Sequence, residues 1–95
     1  MYARMLVMTL GTGMREKAER IADEFNASYK AMKGFVSGTF LGEPKTGEYA
    51  SLIIWKSLED LKAAAKIGRP KFELATGGIL KGPPSIRIYE VYQPK

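Results

Sequence analysis

The feature that most limits how this chain can fold is the segment Gly47–Leu61, with the sequence GEYASLIIWKSLEDL. Its first part predicts a β-strand, Glu48–Lys56, that is bounded by a glycine-containing turn and closed by the only tryptophan of the chain. Successive side chains of a strand point to opposite faces. Both faces of this strand are apolar, with Leu52 and Ile54 on one and Ile53 and Trp55 on the other. Each face must therefore be covered by another part of the protein.

The second part of the segment predicts a helix that follows the strand directly. Ser57 with Asp60 three residues later approximates a capping box, in which short polar side chains satisfy the free N–H groups of the first turn. We expect this helix to be interrupted at Gly68-Arg69-Pro70, because proline disfavours helical geometry in the residue before it. A further helical segment then runs from Pro70 to about Thr76.

The rest of the chain supplies a second helix and three more strands. An apolar stripe at three- and four-residue steps predicts a helix from about Gly13 to Tyr29, which Thr12 can cap. The predicted strands are Tyr2–Leu10, Phe35–Leu41 and Ser85–Tyr92. The order β-α-β-β-α-β is that of an α+β, ferredoxin-like domain spanning residues 1–95, with an antiparallel sheet and both helices on one face. Right-handed crossovers place the first and third strands side by side in the middle of that sheet.

This architecture leaves one face of the sheet bare. The first strand is also apolar on both sides, with Met5 and Val7 opposite to Leu6 and Met8. An antiparallel sheet with one face in water should instead alternate apolar and polar residues. No third helix remains to cover the second face, so we expect a homodimer that packs sheet against sheet.

Composition excludes several classes of function. The chain has no cysteine and no histidine, which removes thiolate chemistry and the usual general base, metal ligand and haem ligand. The net charge of +5 comes from scattered basic residues, so we predict no nucleic-acid binding. No apolar run approaches the length of a membrane span, and the prediction is a cytoplasmic protein. Gly11-Thr12-Gly13 lacks the further glycine of a dinucleotide fingerprint, and we interpret it as a turn.

Several motifs resemble the antibiotic biosynthesis monooxygenase-like group of dimeric α+β barrels. They are Gly34-Phe35 at the start of the second strand, the Pro44–Gly47 hairpin and, above all, Ile54-Trp55-Lys56-Ser57-Leu58-Glu59-Asp60. The resemblance covers nearly the whole chain in element order and length. It implies two sheets packed face to face as a dimer, with a ligand cleft between helices and sheet in each subunit.

The haem-degrading branch of that group can be tested position by position. Its catalytic asparagine, its catalytic tryptophan and its haem-ligating histidine fall near Leu6, Ala64 and Leu74. None of the three matches, so haem degradation is not expected. The branch that forms quinones without a cofactor acts on acidic phenolic substrates, and the sequence neither supports nor excludes that activity.

Five residues are candidates for a ligand pocket: Arg4, Trp55, Phe72, Arg87 and Tyr89. Trp55 either stacks on a planar ligand or packs in the core at the strand end. Arg4 either binds an anionic group or forms a cross-strand ion pair with Glu90. Phe72 lies either in a lid or in ordinary helix packing, and Tyr89 faces either a ligand or the dimer interface, where Tyr92 is also expected.

The resemblance implies a small homodimeric protein, a cofactor-independent monooxygenase acting on an apolar aromatic or polyketide-like molecule. A non-catalytic ligand-binding or assembly domain of the same fold is the alternative, and we predict neither a metal nor a cofactor. An RNA-recognition module has the same element order, but YASLIIW lacks the glycines and the outward aromatic pair of its third strand. Catalytic residues are not identified by the sequence.

Overall fold

The computed structural model describes residues 1–95 and contains four strands and two helices in the predicted order. They are β1 (Tyr2–Thr9), α1 (Arg15–Lys30), β2 (Phe35–Glu43), β3 (Glu48–Trp55), α2 (Leu58–Thr76) and β4 (Ser85–Glu90). The predicted ferredoxin-like α+β fold is therefore confirmed. Neither helix combines the length and hydropathy that a bilayer-spanning segment requires.

The four strands form one antiparallel sheet in the order β2-β3-β1-β4. The two doubly apolar strands, β1 and β3, are its central pair, as predicted. Leu6 on β1 packs against Ala18 of α1, so the even-numbered side chains of β1 face the helices. Met5 and Val7 project from the opposite side, which we call the open face.

The junction between β3 and α2 has the predicted cap. The Ser57 hydroxyl accepts a hydrogen bond of 3.1 Å from the backbone N–H of Asp60. Gly34 lies against the same turn, where a Cβ atom would collide with the Asp60 carboxylate. The backbone carbonyl of Gly34 accepts a hydrogen bond of 2.8 Å from the Lys56 N–H. The residues of the motif thus hold the start of β2 and the start of α2 together.

The predicted break in the second helix is wrong. α2 runs without interruption from Leu58 to Thr76, with Pro70 inside it. Pro70 and Lys66 are both exposed, so water can satisfy the Lys66 carbonyl that proline leaves without an intrahelical partner. Gly68 before the proline and Thr76 after it are buried, so both halves of the helix pack against the rest of the domain.

The predicted cap of the first helix is also wrong. α1 begins at Arg15, its N-cap residue is Met14, and no side chain caps it. A capping side chain belongs to the N-cap residue itself. It accepts a hydrogen bond from the backbone N–H group two or three residues later. Thr12 lies two residues before the N-cap residue, within a turn in which Gly11 and Gly13 both have positive φ angles.

The core lies between the helices and the sheet, in two clusters of buried side chains. The larger cluster joins Ile21, Phe25 and Tyr29 of α1 to Ile53, Trp55, Leu61 and Ala64. The smaller cluster surrounds Leu6, Met8, Leu10, Ala18 and Tyr49. On the open face, Met5, Val7, Leu52 and Ile54 are only partly buried, and no element of the chain covers them.

Candidate functional site

A cavity of about 570 Å³ lies between the helices and the sheet. This volume is in the range of small-molecule binding sites. Residues of all six elements line it, and most of them are hydrophobic. Its floor includes Leu6 and Ile86, and Phe25 and Phe72 lie above them on the two helices. The Phe25 and Phe72 rings meet edge to face at a centroid distance of 6.3 Å, which links α1 to α2 over the cavity.

Arg4 is the only cationic side chain that the sheet floor contributes to the cavity. It lies on the central strand β1, between Ile53 of β3 and Ile88 of β4. The predicted ion pair between Arg4 and Glu90 is absent, since the only salt bridge of the chain joins Arg15 and Glu19. The register explains this result, because Glu90 lies opposite Tyr2 and not opposite Arg4. Arg4 is therefore partly buried, cationic and without a carboxylate partner.

Tyr29 of α1 lines the cavity beside Arg4. Its ring packs edge to face on Trp55 at 5.7 Å. α2 can approach the ring closely because residue 68 is glycine, and a Cβ atom there would lie 3.1 Å from the Tyr29 hydroxyl oxygen. Burial raises the pKa of Tyr29, and the positive charge of Arg4 offsets part of that increase. Tyr29 is thus a neutral phenol close to a guanidinium group.

The raised pKa of Tyr29 predicts a loss of stability at alkaline pH. Above about pH 10 the unfolded chain loses the phenolic proton while the folded chain retains it. The unfolded state then binds fewer protons, so the free energy of unfolding decreases as pH rises towards the folded-state pKa. Phenolate absorbance should show Tyr29 titrating above the ordinary pKa of a tyrosine, about 10. A Tyr29→Phe variant should lose that late titration and part of the alkaline destabilisation.

An Arg4→Met variant provides the check on this assignment. It removes the positive charge that lowers the pKa of Tyr29, so the late tyrosine should titrate at still higher pH. An unchanged or lower titration midpoint in that variant would contradict the proximity of the two groups.

Tyr49 is a cavity residue that the sequence analysis did not single out. Its side chain is 9% exposed, and its hydroxyl oxygen is buried without a hydrogen-bond partner. The ring lies over Gly42 of β2, where a Cβ atom would be 2.8 Å from the ring carbon Cδ1. The alternation of β3 could have identified it, because Tyr49 lies on the same face of the strand as the buried residues Ile53 and Trp55. A phenol buried on that face requires a polar partner.

The five predicted pocket residues lie in three different places. Arg4 and Phe72 line the cavity. Trp55 does not line it: the side chain is 1% exposed and packs in the core against Tyr29 and Phe35. Arg4 and Tyr29, which line the cavity, also lie beside the indole.

Arg87 and Tyr89 lie outside the cavity, on the open face. Their partners across the ladder are Met5 and Ala3, whose side chains point away from the helices. Strand alternation therefore assigns Ile86 to the cavity wall and places the arginine on the other side of the sheet. The predicted pocket residues Arg87 and Tyr89 are therefore not part of the cavity, and the other alternative for Tyr89, the dimer interface, stays a prediction.

Solved structures with this fold come from several bacteria. An antibiotic biosynthesis monooxygenase-type protein of Nitrosomonas europaea matches with a TM-score of 0.83 at 13% identity, over 98% of this chain and 91% of that chain. A similar protein of Caulobacter crescentus matches with a TM-score of 0.80 at 17% identity, over 97% and 90%. SnoaB, a cofactor-independent oxygenase from Streptomyces nogalater, matches with a TM-score of 0.75 at 18% identity, over 98% and 93%.

The chain therefore has the fold of the antibiotic biosynthesis monooxygenase-type proteins, as the resemblance in its sequence implied. No protein-family model and no curated protein sequence matches the chain. At 13–18% identity, the structural likeness defines the fold alone.

Proposed function

We propose that this chain binds an apolar aromatic or polyketide-like small molecule in the cavity and oxidises it with molecular oxygen, as a cofactor-independent monooxygenase. The observation that carries the proposal is an arginine without a carboxylate partner on the mainly apolar sheet floor of the cavity. A guanidinium group without a carboxylate partner attracts an anionic oxygen of a ligand, while the apolar walls take up its rings. The fold shared with SnoaB, a cofactor-independent oxygenase, supports the same class of reaction.

In this reaction the substrate itself supplies the electrons. Arg4 stabilises the phenolate or enolate form of a bound hydroxy-aromatic compound and so lowers the pKa of its hydroxyl group. The electron-rich anion reacts with oxygen at a ring carbon and forms a carbon–oxygen bond. Cleavage of the oxygen–oxygen bond then leaves one oxygen atom as a quinone carbonyl and releases the other as water, so that a phenol and oxygen give a quinone and water.

Tyr29 acts in this scheme as a hydrogen-bond donor. A phenol is protonated at neutral pH, and burial, which raises the pKa of Tyr29, favours the same form. It can therefore donate to the oxygen anion that Arg4 attracts, and a donor placed in an apolar site stabilises developing charge more than it would in water. The cavity wall contains no histidine or cysteine, so the ionised substrate takes the role that a general base has in other enzymes.

Oxygen uptake with a panel of hydroxy-aromatic compounds tests the proposal. Arg4→Met keeps an unbranched side chain and removes the charge. Loss of a charge-assisted hydrogen bond should lower kcat/KM by about 10- to 100-fold. Arg87→Met is the matched control, since it removes a strand arginine outside the cavity and should leave the reaction unchanged. Equal loss in both variants would contradict a role for the cavity.

A non-catalytic ligand-binding domain is the second candidate. The observation in its favour is that the cavity wall holds no side chain that ordinarily titrates near neutral pH. Binding of hydroxy-aromatic compounds that Arg4→Met weakens, without oxygen uptake by the wild-type protein, would select this alternative.

We also propose that the chain forms a homodimer through its open face. Met5, Val7, Leu52 and Ile54 give the centre of that face an apolar surface, and the exposed side chains of Leu41 and Tyr89 extend it. Burial of such side chains against a second copy contributes roughly 1.5–3 kcal/mol each. Arg87 and Tyr89 would then be interface residues.

A further inference from the structure

The outward side of α2 carries a row of exposed apolar side chains. Ile67 is 53% exposed and Leu74 is 86% exposed, so the row includes two large side chains that are mostly in water. Ala63 and Pro70 are also exposed and complete the row. Successive members are four, three and four residues apart, and at 3.6 residues per turn they span about 60° of the helix circumference. We call Ala63, Ile67, Pro70 and Leu74 the outer stripe.

The outer stripe has no part in the core or in the cavity. The residues that α2 buries lie on the opposite side of the helix, and no stripe residue lines the cavity. The other helix provides a comparison, because Ala27 is the only apolar residue among the exposed side chains of α1. A helix at the surface of a domain normally presents polar residues to water, as α1 does. An ordered row of exposed apolar residues on α2 therefore indicates an interaction surface.

Cationic side chains border the outer stripe. Three of them follow one edge along the helix: Lys62, Lys66 and Arg69. Lys71 lies at the other edge, and all four cations are exposed and outside any salt bridge. Glu73 is the only acidic residue of this part of the helix, so four cations and one anion give residues 62–74 a net charge of +3. The stripe is thus an apolar seam with basic edges.

A narrow apolar seam with charged edges is the surface that one helix presents to another in a coiled coil. A second copy of α2 does not complement it. Whether the two copies ran parallel or antiparallel, a basic edge of one would face a basic edge of the other, and like charges repel. A lipid surface is also a poorer match, because helices that lie on membranes bury Trp, Phe and Leu side chains, and the stripe contains no aromatic residue.

We propose that the outer stripe is the docking site for a helix of another protein, an amphipathic helix with an apolar seam and acidic residues along its edges. The stripe is about 17 Å long from Ala63 to Leu74, at about 1.5 Å per residue, and so matches a partner helix of about three turns. Carboxylates of that helix complement Lys66 and Arg69 and fix its register, while Ile67 and Leu74 supply the buried apolar contact. The inference goes beyond the proposed function, since the stripe lies outside the cavity.

Fluorescence anisotropy with two labelled helical peptides tests this proposal at low ionic strength. Both peptides are about three heptads long with leucine at the seam positions, and their edges carry glutamate in one and lysine in the other. Wild-type protein should bind the glutamate peptide at least about 10-fold more tightly, because its charges complement the basic edges of the stripe.

Two variants separate the apolar contact from the charge contact. Leu74→Ser should weaken binding of the glutamate peptide by about 10-fold or more, the effect of losing one buried leucine side chain. Lys66→Glu should reduce the preference for the glutamate peptide by about 3- to 10-fold. Arg20→Glu is the matched control, since it makes the same charge reversal on the exposed side of α1 and should leave the preference within about 2-fold of wild type. Both stripe side chains are exposed, so the urea midpoints of Leu74→Ser and Lys66→Glu should equal that of wild type.

Several outcomes would overturn the proposal. Wild-type protein that does not bind the glutamate peptide, or that binds both peptides equally, would show that the stripe does not recognise an acidic helix. An equal loss of preference in Lys66→Glu and Arg20→Glu would show that only the overall charge matters. Binding to phosphatidylserine vesicles that Leu74→Ser abolishes, without peptide binding, would assign the stripe to a lipid surface. Assembly beyond a dimer that Leu74→Ser abolishes would assign it to a second copy of the chain.

Discussion

Replacement of Trp55 by alanine is expected to lower the free energy of unfolding by about 3–5 kcal/mol. Trp55 is 1% exposed and belongs to the larger core cluster. Its ring contacts Tyr29 from α1 and Phe35 from β2, so that truncation opens a void between three elements. The loss is a large part of the stability of a domain of this size, which is typically 5–15 kcal/mol.

Urea unfolding followed by circular dichroism measures this effect. Leu74→Ala is the control, since it truncates a large apolar side chain that is 86% exposed and should change stability by less than about 0.5 kcal/mol. If Trp55→Ala were destabilised by less than about 1 kcal/mol, the indole would not have the packing role that the structure shows. In that case its use as a ligand platform would have to be considered again.

Replacement of Leu52 by aspartate is expected to convert the proposed homodimer to a monomer at micromolar concentration. Leu52 lies at the centre of the open face, between Met5 of β1 and Thr39 of β2 in the ladder. A two-fold interface would bury one carboxylate from each subunit among apolar side chains. The effective penalty for a buried unpaired ion is several kcal/mol, and here it is incurred twice.

Light scattering over a range of concentrations measures the change in mass, and circular dichroism shows whether the variant remains folded. Leu74→Asp places the same charge on the outer side of α2 and should leave the dimer intact. Wild-type protein that is monomeric at micromolar concentration would contradict the dimer. A Leu52→Asp protein that stays dimeric would move the interface away from the open face.

The order of elements was predictable because it depends on patterns that are local in the chain. Two-residue alternation and three- to four-residue steps distinguish strands from helices, and Ser57 marks the start of α2 through a bond to a residue three positions away. The central positions of β1 and β3 were also predictable, since right-handed crossovers allow few arrangements. Two predictions about the helices were wrong. The cap at Thr12 fails because α1 begins later, after the N-cap residue Met14. The break at Pro70 does not occur because packing of α2 overrides the helix-breaking tendency of proline.

The candidate site was less accessible to prediction, because it depends on which face of each strand meets the helices. In β4, either Ile86 or Arg87 could have faced the cavity, since both faces of β1 are apolar. The residues next to Arg87 in the sequence do not indicate which face of the sheet it occupies. Only the pairing of Arg87 with Met5 places its side chain on the open face. The same register leaves Glu90 opposite Tyr2 and so leaves Arg4 without its predicted partner.

Local sequence pattern was thus sufficient for the fold and for the expectation that the open face needs a partner, because both follow from the periodicity of apolar residues. The polar chemistry of the cavity depends on the absence of contacts: Arg4 has no carboxylate beside it, and the Tyr49 hydroxyl has no acceptor or donor. Such absences are properties of the assembled structure, since a potential partner for a polar side chain can come from any of the elements packed around it. The register of the sheet and the packing of the two helices over it decide that neither of these side chains meets such a partner.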